Sequence, residues 1–191
     1  MEKHRHFIIH KPYGFLSQFI TNQAKNKHKL LGELDFDFPE NTMAVGRLDV
    51  KSEGLLLLTT NGKVSDYFTT SGNVEKEYYV QVNGEISEED VKELQKGVEI
   101  GFDGKKYITK PCIVKKIDIP NFPERSKKIR DDRHGPTSWI SVTLTEGKFR
   151  QVRKMTSAVG HPTLRLVRVR VGSILLGDLQ VGEVREVDSL M

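Results

Sequence analysis

The chain has 191 residues, 37% of them hydrophobic and 29% charged, which is typical of a globular protein rather than a disordered one. Its longest apolar run, Leu55–Leu58, is too short to span a bilayer, and Met1–His6 lacks the apolar core of a secretion signal. Cys112 is the only cysteine, so an internal disulfide and a multi-cysteine metal site are excluded. His6 and His10 have the spacing of a helical metal-binding pair, but they flank a predicted strand and would not share a helix face, so a metal site is not indicated. We therefore expect a cytoplasmic protein without a bound metal or a membrane anchor.

The first third of the chain is predicted to be strand and loop with one weak helix. Residues 7–10 predict a short strand, which ends at a turn favoured by Pro12 and Gly14. Residues 22–42 are mixed and polar, as expected for a loop with a short helix. Residues 54–60 predict a fully buried strand, and 64–70 have weak helical spacing.

The middle of the chain predicts a strand followed by a helix. Alternation over residues 74–82 places one set of side chains on a common face, namely Tyr78, Val80 and Val82. Ser87 is a suitable N-cap with acidic residues in the next turn, and Gly97 is a suitable helix end. We expect this helix to pack against a core.

Two further strands are predicted at 111–119 and 139–144, joined by an exposed loop over 120–137. Residues 150–159 predict a helix, because Val152, Met155 and Val159 share one side at about 100° per residue. Strand-like alternation follows over 164–171. Many strands with few helices, and no internal repeat, indicate the α+β class.

Positive charge is concentrated near the C-terminus. The stretch from Gly147 to Gly172 contains no acidic residue but seven basic ones: Lys148, Arg150, Arg153, Lys154, Arg165, Arg168 and Arg170. A second basic cluster lies at Arg125–Arg130. Segregated positive charge favours a polyanionic partner, because neutralising phosphates releases counterions.

Asp49 lies in the densest polar stretch, directly before the predicted buried strand. An aspartate in such a place is most often a turn or capping residue, with Arg47 as its solvated counter-charge. Alternatively, a carboxylate in a rigid loop facing a cleft could act as a nucleophile or base, provided that a cation kept it ionised.

Four ordered motifs resemble those of the RsuA-type pseudouridine synthases. They are His10-Lys-Pro-x-Gly14, Gly46-Arg-Leu-Asp49 with Ser52-Glu-Gly54 and Gly62, Lys76-x-Tyr78-x-Val80, and Glu146-Gly-Lys-Phe-Arg-Gln-Val-Arg-Lys-Met155. The segment from Pro162 through Gly172 looks most like the RluE branch, whose members modify large-subunit rRNA. The sequence departs from the family pattern at three places. Thr60-Asn61 stands where Asn-Asp is usual, Phe149 is bulkier than the usual residue, and Lys154 replaces an arginine.

The resemblance implies a pseudouridine synthase fold, with a mixed, mainly antiparallel central sheet, flanking helices and a catalytic cleft between two lobes. It implies one catalytic domain over 1–191, without the S4-type RNA-binding domain of many relatives. Asp49 would be the catalytic aspartate, Tyr78 the ring that stacks on the target base and helps to remove its C5 proton, and Arg153 the cation paired with Asp49.

The implied partner is ribosomal RNA, most specifically 23S, bound by a monomer. Arg47 would occupy space near the flipped-out base, and the other expected RNA-binding residues are Lys76, Lys148, Arg150, Lys154, Arg168 and Arg170. Apart from the resemblance, Lys11 and Lys76 are typical surface lysines.

The chemistry of isomerisation explains why no cofactor is expected. The N1–C1′ bond breaks, the uracil turns and C5 joins C1′, with no net redox change or hydrolysis. Asp49 could attack C1′ or take a ribose 2′ proton, and the target base must leave its stack to reach the site. The main alternative is a non-catalytic rRNA-binding assembly factor. A membrane-peripheral protein is disfavoured, because the basic stretch includes no strongly amphipathic helix with aromatic anchors.

Overall fold

The computed structural model describes residues 3–191, apart from the side chain of Asp132. The chain forms two compact units, which are described separately. The first contains the chain up to Val74 together with Arg168–Met191, and the second contains Glu75–Val167. Within residues 3–191, no helix is both long enough and apolar enough to cross a membrane.

Eleven strands and three α-helices are found among these residues. The strands are β1 (His6–Lys11), β2 (Met43–Val45), β3 (Glu53–Thr59), β4 (Lys76–Asn83), β5 (Glu99–Phe102), β6 (Lys105–Ile108), β7 (Ile113–Ile117), β8 (Thr137–Leu144), β9 (Thr163–Val171), β10 (Ile174–Leu175) and β11 (Val184–Val187). The helices are α1 (Gly62–Thr70), α2 (Glu88–Lys96) and α3 (Gln151–Ala158), and short 3-10 turns occur at Leu31–Glu33 and Asp132–His134. The predicted α+β class is confirmed.

The sheet of the first unit has the strand order β11-β1-β3-β9, with β2 also paired to β3 and β10 to β9. β1 is antiparallel to both of its neighbours, and Phe7 lies opposite Leu58. All seven residues of β3 are buried, as the apolar run Leu55–Leu58 at its centre predicts for a strand covered on both faces. This buried strand fixes the position of the polar loop that precedes it.

At Gly54, strand β3 closely approaches the backbone of Arg168 in β9. The φ of Gly54 is +104°, and a Cβ atom there would lie 2.3 Å from the carbonyl oxygen of Arg168. Only glycine accepts both this backbone conformation and this close approach. Packing against β9 therefore explains why the third residue of Ser52-Glu-Gly54 is a glycine.

The second unit has the strand order β9-β4-β8-β7, with β5 and β6 forming a separate hairpin. Its core combines side chains from several elements: Val80 and Val82 of β4, Ile140 and Val142 of β8, Val91 and Leu94 of α2, and Val152 and Met155 of α3. The predicted faces of β4 and α3 are therefore confirmed. Cys112 packs against this core, and burial, with a smaller contribution from Glu146, raises the pKa of its thiol to about 11.

The ends of α2 are also as predicted. The Ser87 hydroxyl accepts a hydrogen bond from the Asp90 N–H at 3.1 Å, and Gly97 is the C-cap with φ +104°. Two hydrogen bonds to the Asp90 carboxylate, the larger effect coming from Ser87 and the smaller from His161, hold the pKa of Asp90 below its usual range. Residues 120–137 form a long connection without β-structure until β8 begins at Thr137, and Phe122 in this connection packs on Trp139.

Candidate active site

Asp49 lies in the loop between β2 and β3, and buried hydrogen bonds fix the residue before it. The Ser17 hydroxyl donates to the carbonyl of Leu48 at 2.8 Å and accepts from the Leu48 N–H at 2.9 Å. Ser17 is only 6% exposed, so water does not compete with these bonds. No short-range pattern in the sequence indicates this contact, since 31 residues separate the two partners.

The residues after Asp49 are held as well. The Gly14 N–H donates to the Val50 carbonyl at 2.8 Å, and the Ser52 N–H donates to the Asp49 carbonyl at 2.9 Å. Asp49 itself is half-buried, whereas Arg47 is exposed. The backbone around Asp49 is therefore rigid, as a preorganised carboxylate requires.

Lys11 is fully buried in the first unit. Its ammonium group donates to the carbonyls of Pro12 at 3.0 Å and Phe15 at 2.7 Å, which closes the turn of the first motif. The sequence pattern alone predicts a surface lysine here, and that prediction is wrong. The physical reason is that the turn after β1 brings the Pro12 and Phe15 carbonyls to the buried ammonium, and the sequence pattern does not show these contacts.

Arg168 is buried, although an RNA-binding residue is expected to be exposed. It was expected among the RNA-binding residues, but it is only 5% exposed, and its Nε donates to the carbonyl of Leu55 at 2.8 Å. The expected exposure is therefore wrong, because the arginine spans from β9 to β3 inside the first unit. Arg170 is half-buried, and its Nη1 donates to the Gly172 carbonyl at 2.9 Å.

Tyr78 and Lys76 lie on one face of β4 in the second unit. Tyr78 is half-buried opposite Val142 and packs against the core, and its hydroxyl makes no hydrogen bond to any residue of 3–191. Lys76 donates to the carbonyl of Thr145 at 3.2 Å. This bond places the strand bearing Tyr78 beside the segment that begins the fourth motif.

Glu146 organises the fourth motif. Its carboxylate accepts hydrogen bonds from the Tyr107 hydroxyl, from the Lys110 N–H at 2.7 Å and from the Gln151 side chain at 2.9 Å. Burial by itself would raise the pKa of Glu146, but these hydrogen bonds outweigh it and lower the pKa. Sequence analysis did not single out Glu146 or Gln151, although both belong to the motif.

The basic residues of this motif lie in a short loop, Gly147–Arg150, and on α3, which follows it. Gln151 is buried and accepts from the Lys148 N–H at 3.0 Å, and Arg150 has the left-handed φ of +52° at the start of α3. Lys154 donates to the Gly101 carbonyl at 2.8 Å. Arg153 is half-buried on α3, where its carbonyl accepts from the Thr156 hydroxyl at 3.2 Å. Each contact lies within the second unit.

The three predicted catalytic residues are divided between the units. Asp49 belongs to the first, whereas Tyr78 and Arg153 belong to the second. The pairing of Asp49 with Arg153 stays a prediction. Among residues 3–191, no three histidine, cysteine, aspartate or glutamate residues are grouped so that they could hold a metal ion.

The family described as RNA pseudouridylate synthase matches residues 5–158, a range that contains all four motifs. The chain belongs to this family. As an RNA pseudouridylate synthase, it is an isomerase that acts on RNA. The predicted resemblance is thereby confirmed, and the residues discussed above lie within the matched region, apart from those of β9 and beyond.

The relatives named ribosomal large subunit pseudouridine synthase E include proteins from Vibrio and from Xanthomonas. The one from Vibrio parahaemolyticus is 40% identical over 188 residues, covering 98% of this chain and 75% of its own length. The one from Xanthomonas campestris is 40% identical over 184 residues, covering 95% of each chain. The predicted likeness to the RluE branch is therefore confirmed.

A solved pseudouridylate synthase structure supports the fold. It is 27% identical to this chain, with a TM-score of 0.74, and the match covers 98% of this chain and 71% of that one. The pseudouridine synthase fold predicted from the motifs is confirmed.

Proposed function

We propose that this synthase converts a specific uridine of large-subunit (23S) ribosomal RNA into pseudouridine, with Asp49 as the catalytic aspartate. The observation that supports the substrate is the 40% identity, over 98% of the chain, to a relative named for the large ribosomal subunit. The segregated positive charge between Gly147 and Gly172 agrees with an RNA substrate.

The roles of the catalytic residues follow from the chemistry and the motifs. Asp49 acts at the ribose, either on C1′ or on the 2′ proton, and Arg153 keeps it charged and oriented through two parallel hydrogen bonds. Tyr78 stacks on the flipped-out uracil, and its unengaged hydroxyl is available near C5. Arg47, which is exposed, occupies space beside the extruded base.

The phosphate contacts are assigned to Lys76, Lys148, Arg150, Lys154 and Arg170. We propose that 1–191 form one catalytic domain that acts as a monomer in the cytoplasm, and that the reaction needs no cofactor. Sedimentation of the purified chain would test the monomer, and a second subunit at micromolar concentration would contradict it.

The decisive experiment compares the wild type with Asp49→Asn. The substitution keeps the size of the side chain and removes its charge, so turnover should be lost while folding and RNA affinity are retained. Pseudouridine is mapped in large-subunit rRNA after incubation with each protein, and Asp35→Asn, at an exposed aspartate of the first unit, is the matched control. Pseudouridine formed by Asp49→Asn would reject the assignment. RNA binding without modification by the wild type would support the non-catalytic assembly factor instead.

A second pair of variants tests Arg153. Removing one partner of a buried ion pair costs about 3–5 kcal/mol, and removing one partner of a half-buried pair costs less. We therefore expect Arg153→Ala to slow the single-turnover rate by about 100-fold, which corresponds to about 2.7 kcal/mol. Arg153→Lys should recover only part of the rate, because a point charge cannot form the two parallel bonds. The rates are measured with saturating enzyme, so that weaker RNA binding is not mistaken for a slower chemical step. A wild-type rate in Arg153→Ala would make Arg153 a phosphate contact only.

A further inference from the structure

The side chain of Phe149 is exposed in the middle of the most basic part of the second unit. It is 66% exposed, although a phenylalanine normally buries its ring. Its sequence neighbours are Lys148 and Arg150, and Lys154 follows in the first turn of α3. An exposed aromatic ring surrounded by positive charge is the arrangement that proteins use to bind unpaired nucleotides.

The position of the ring is fixed by its surroundings. The Lys154 ammonium lies 5.2 Å from the centre of the Phe149 ring, which is within the range of a cation–π contact. Lys154 is itself held, because it donates to the Gly101 carbonyl at 2.8 Å. One face of the ring is thus covered by a cation, and the exposed area belongs to the remainder of the ring.

The loop that bears Phe149 is also fixed. Glu146 at its start accepts three hydrogen bonds, and Gln151 at its end is buried and bonded to Lys148. The Lys148 ammonium lies 5.1 Å from the centre of the Phe102 ring and 5.2 Å from that of Tyr107. A fixed loop loses little entropy when a ligand stacks on it, which favours binding.

We propose that Phe149 is a stacking platform for one unpaired nucleotide of the substrate RNA, outside the pocket for the target uracil. Lys148, Arg150 and Lys154 bind the phosphates on either side of that nucleotide. This inference rests on the proposed function, because it requires an RNA substrate. Phe149 is a positioning residue in this scheme, since it holds the strand and does not touch the reacting atoms.

Tryptophan fluorescence gives a direct test. The only tryptophan, Trp139, is 7% exposed, so bound RNA should change its emission little. In Phe149→Trp, a base stacked on the new indole should quench its emission when a short single-stranded oligouridylate is added. Binding that leaves the emission of Phe149→Trp unchanged would overturn the proposal.

Affinity measurements separate stacking from a general apolar contact. By fluorescence anisotropy with the same labelled oligouridylate, Phe149→Leu should bind roughly 5- to 150-fold more weakly than the wild type, because leucine keeps bulk but has no aromatic face. Phe149→Tyr should bind as the wild type does, and so should Ile20→Ala, a control at another exposed apolar residue, 78% exposed. Equal affinity of Phe149→Leu and the wild type would overturn the proposal. If Phe149→Ala lost affinity for the oligouridylate while Phe149→Leu kept it, the proposal would also be overturned, and Phe149 would make only an apolar contact.

The two proposals fail in different ways. Failure of the wild type to modify large-subunit rRNA would reject the proposed function. A wild type that modifies rRNA, with Phe149→Leu equal to it in oligouridylate affinity, would reject only the role of Phe149. At saturating enzyme, Phe149→Leu should recover most of the wild-type single-turnover rate, because the substitution weakens binding more than chemistry.

Discussion

At the scale of single residues, the first unit depends on polar side chains in its interior. Ser17, Lys11 and Arg168 are each less than 10% exposed, and each donates to a backbone carbonyl. Buried polar groups must be hydrogen-bonded, so these contacts determine where the neighbouring loops run. The loop that holds Asp49 is thus positioned by residues far away in sequence.

Gly54 offers a test of that packing. In Gly54→Ala the new methyl group would meet the Arg168 backbone, which is not a flexible side chain that can move aside. The positive φ adds strain, so we expect the free energy of unfolding to fall by about 3 kcal/mol or more. Urea denaturation measures this change.

Gly62→Ala is the matched control for Gly54→Ala, since a Cβ at Gly62 meets no heavy atom within 4 Å. At this first residue of α1, alanine should leave stability unchanged or raise it slightly. Equal effects of the two substitutions would contradict the close approach of β3 and β9.

At the scale of elements, local signals predicted α2, α3 and the buried β3. Ser87 and Gly97 mark the ends of α2 by their own chemistry, and the core faces follow from periodicity alone. The β5–β6 hairpin was missed although Asp103-Gly104 is a strong turn signal, with φ values of +52° and +70°. Buried Lys11 and Arg168 were not predictable, because their partners are set by tertiary contacts.

Glu146, which precedes the loop Gly147–Arg150, should make the stability of the protein depend on pH. Because the pKa of Glu146 is lowered in the folded protein, its contribution to stability is fully present above the ordinary glutamate pKa of about 4.3. The contribution is lost as the pH falls further, through the lower pKa of the folded state. Glu146→Gln should therefore lose less stability than the wild type between neutral pH and about pH 3.

Urea unfolding of both proteins at the two pH values measures this difference. Glu40→Gln, at an exposed glutamate of the first unit, controls for the general effect of removing one carboxylate. If Glu146→Gln and the wild type became unstable in parallel, the hydrogen bonds to Glu146 would not favour its ionised form.

At the scale of the whole molecule, the net charge of +4 understates the positive charge offered to RNA, because acidic residues are segregated from the basic segment. The affinity for RNA should consequently fall steeply with added salt. Removing Lys148, Lys154 or Arg170 should flatten the log–log slope by about one unit at most for each residue.

Arg168 provides the contrast in that experiment. Since it is buried and bonded to Leu55, Arg168→Gln should lower the free energy of unfolding and leave the salt slope unchanged. Anisotropy titrations over a series of salt concentrations give the slopes. A flattened slope in Arg168→Gln would show that Arg168 itself contacts a phosphate. A slope near zero in the wild type would contradict binding through phosphate contacts.

The division of β9 between the units has a consequence for the order in which the chain folds during its own synthesis. Residues 75–167 are contiguous, so the second unit can fold as soon as it leaves the ribosomal exit tunnel. The first unit cannot be completed then, because β1 still lacks β11, its partner from almost the opposite end of the chain. Until β11 has been synthesised, β1 has an open edge, and an open strand edge is prone to pair with other chains. We expect the edge to close when Val184–Val187 pair with β1.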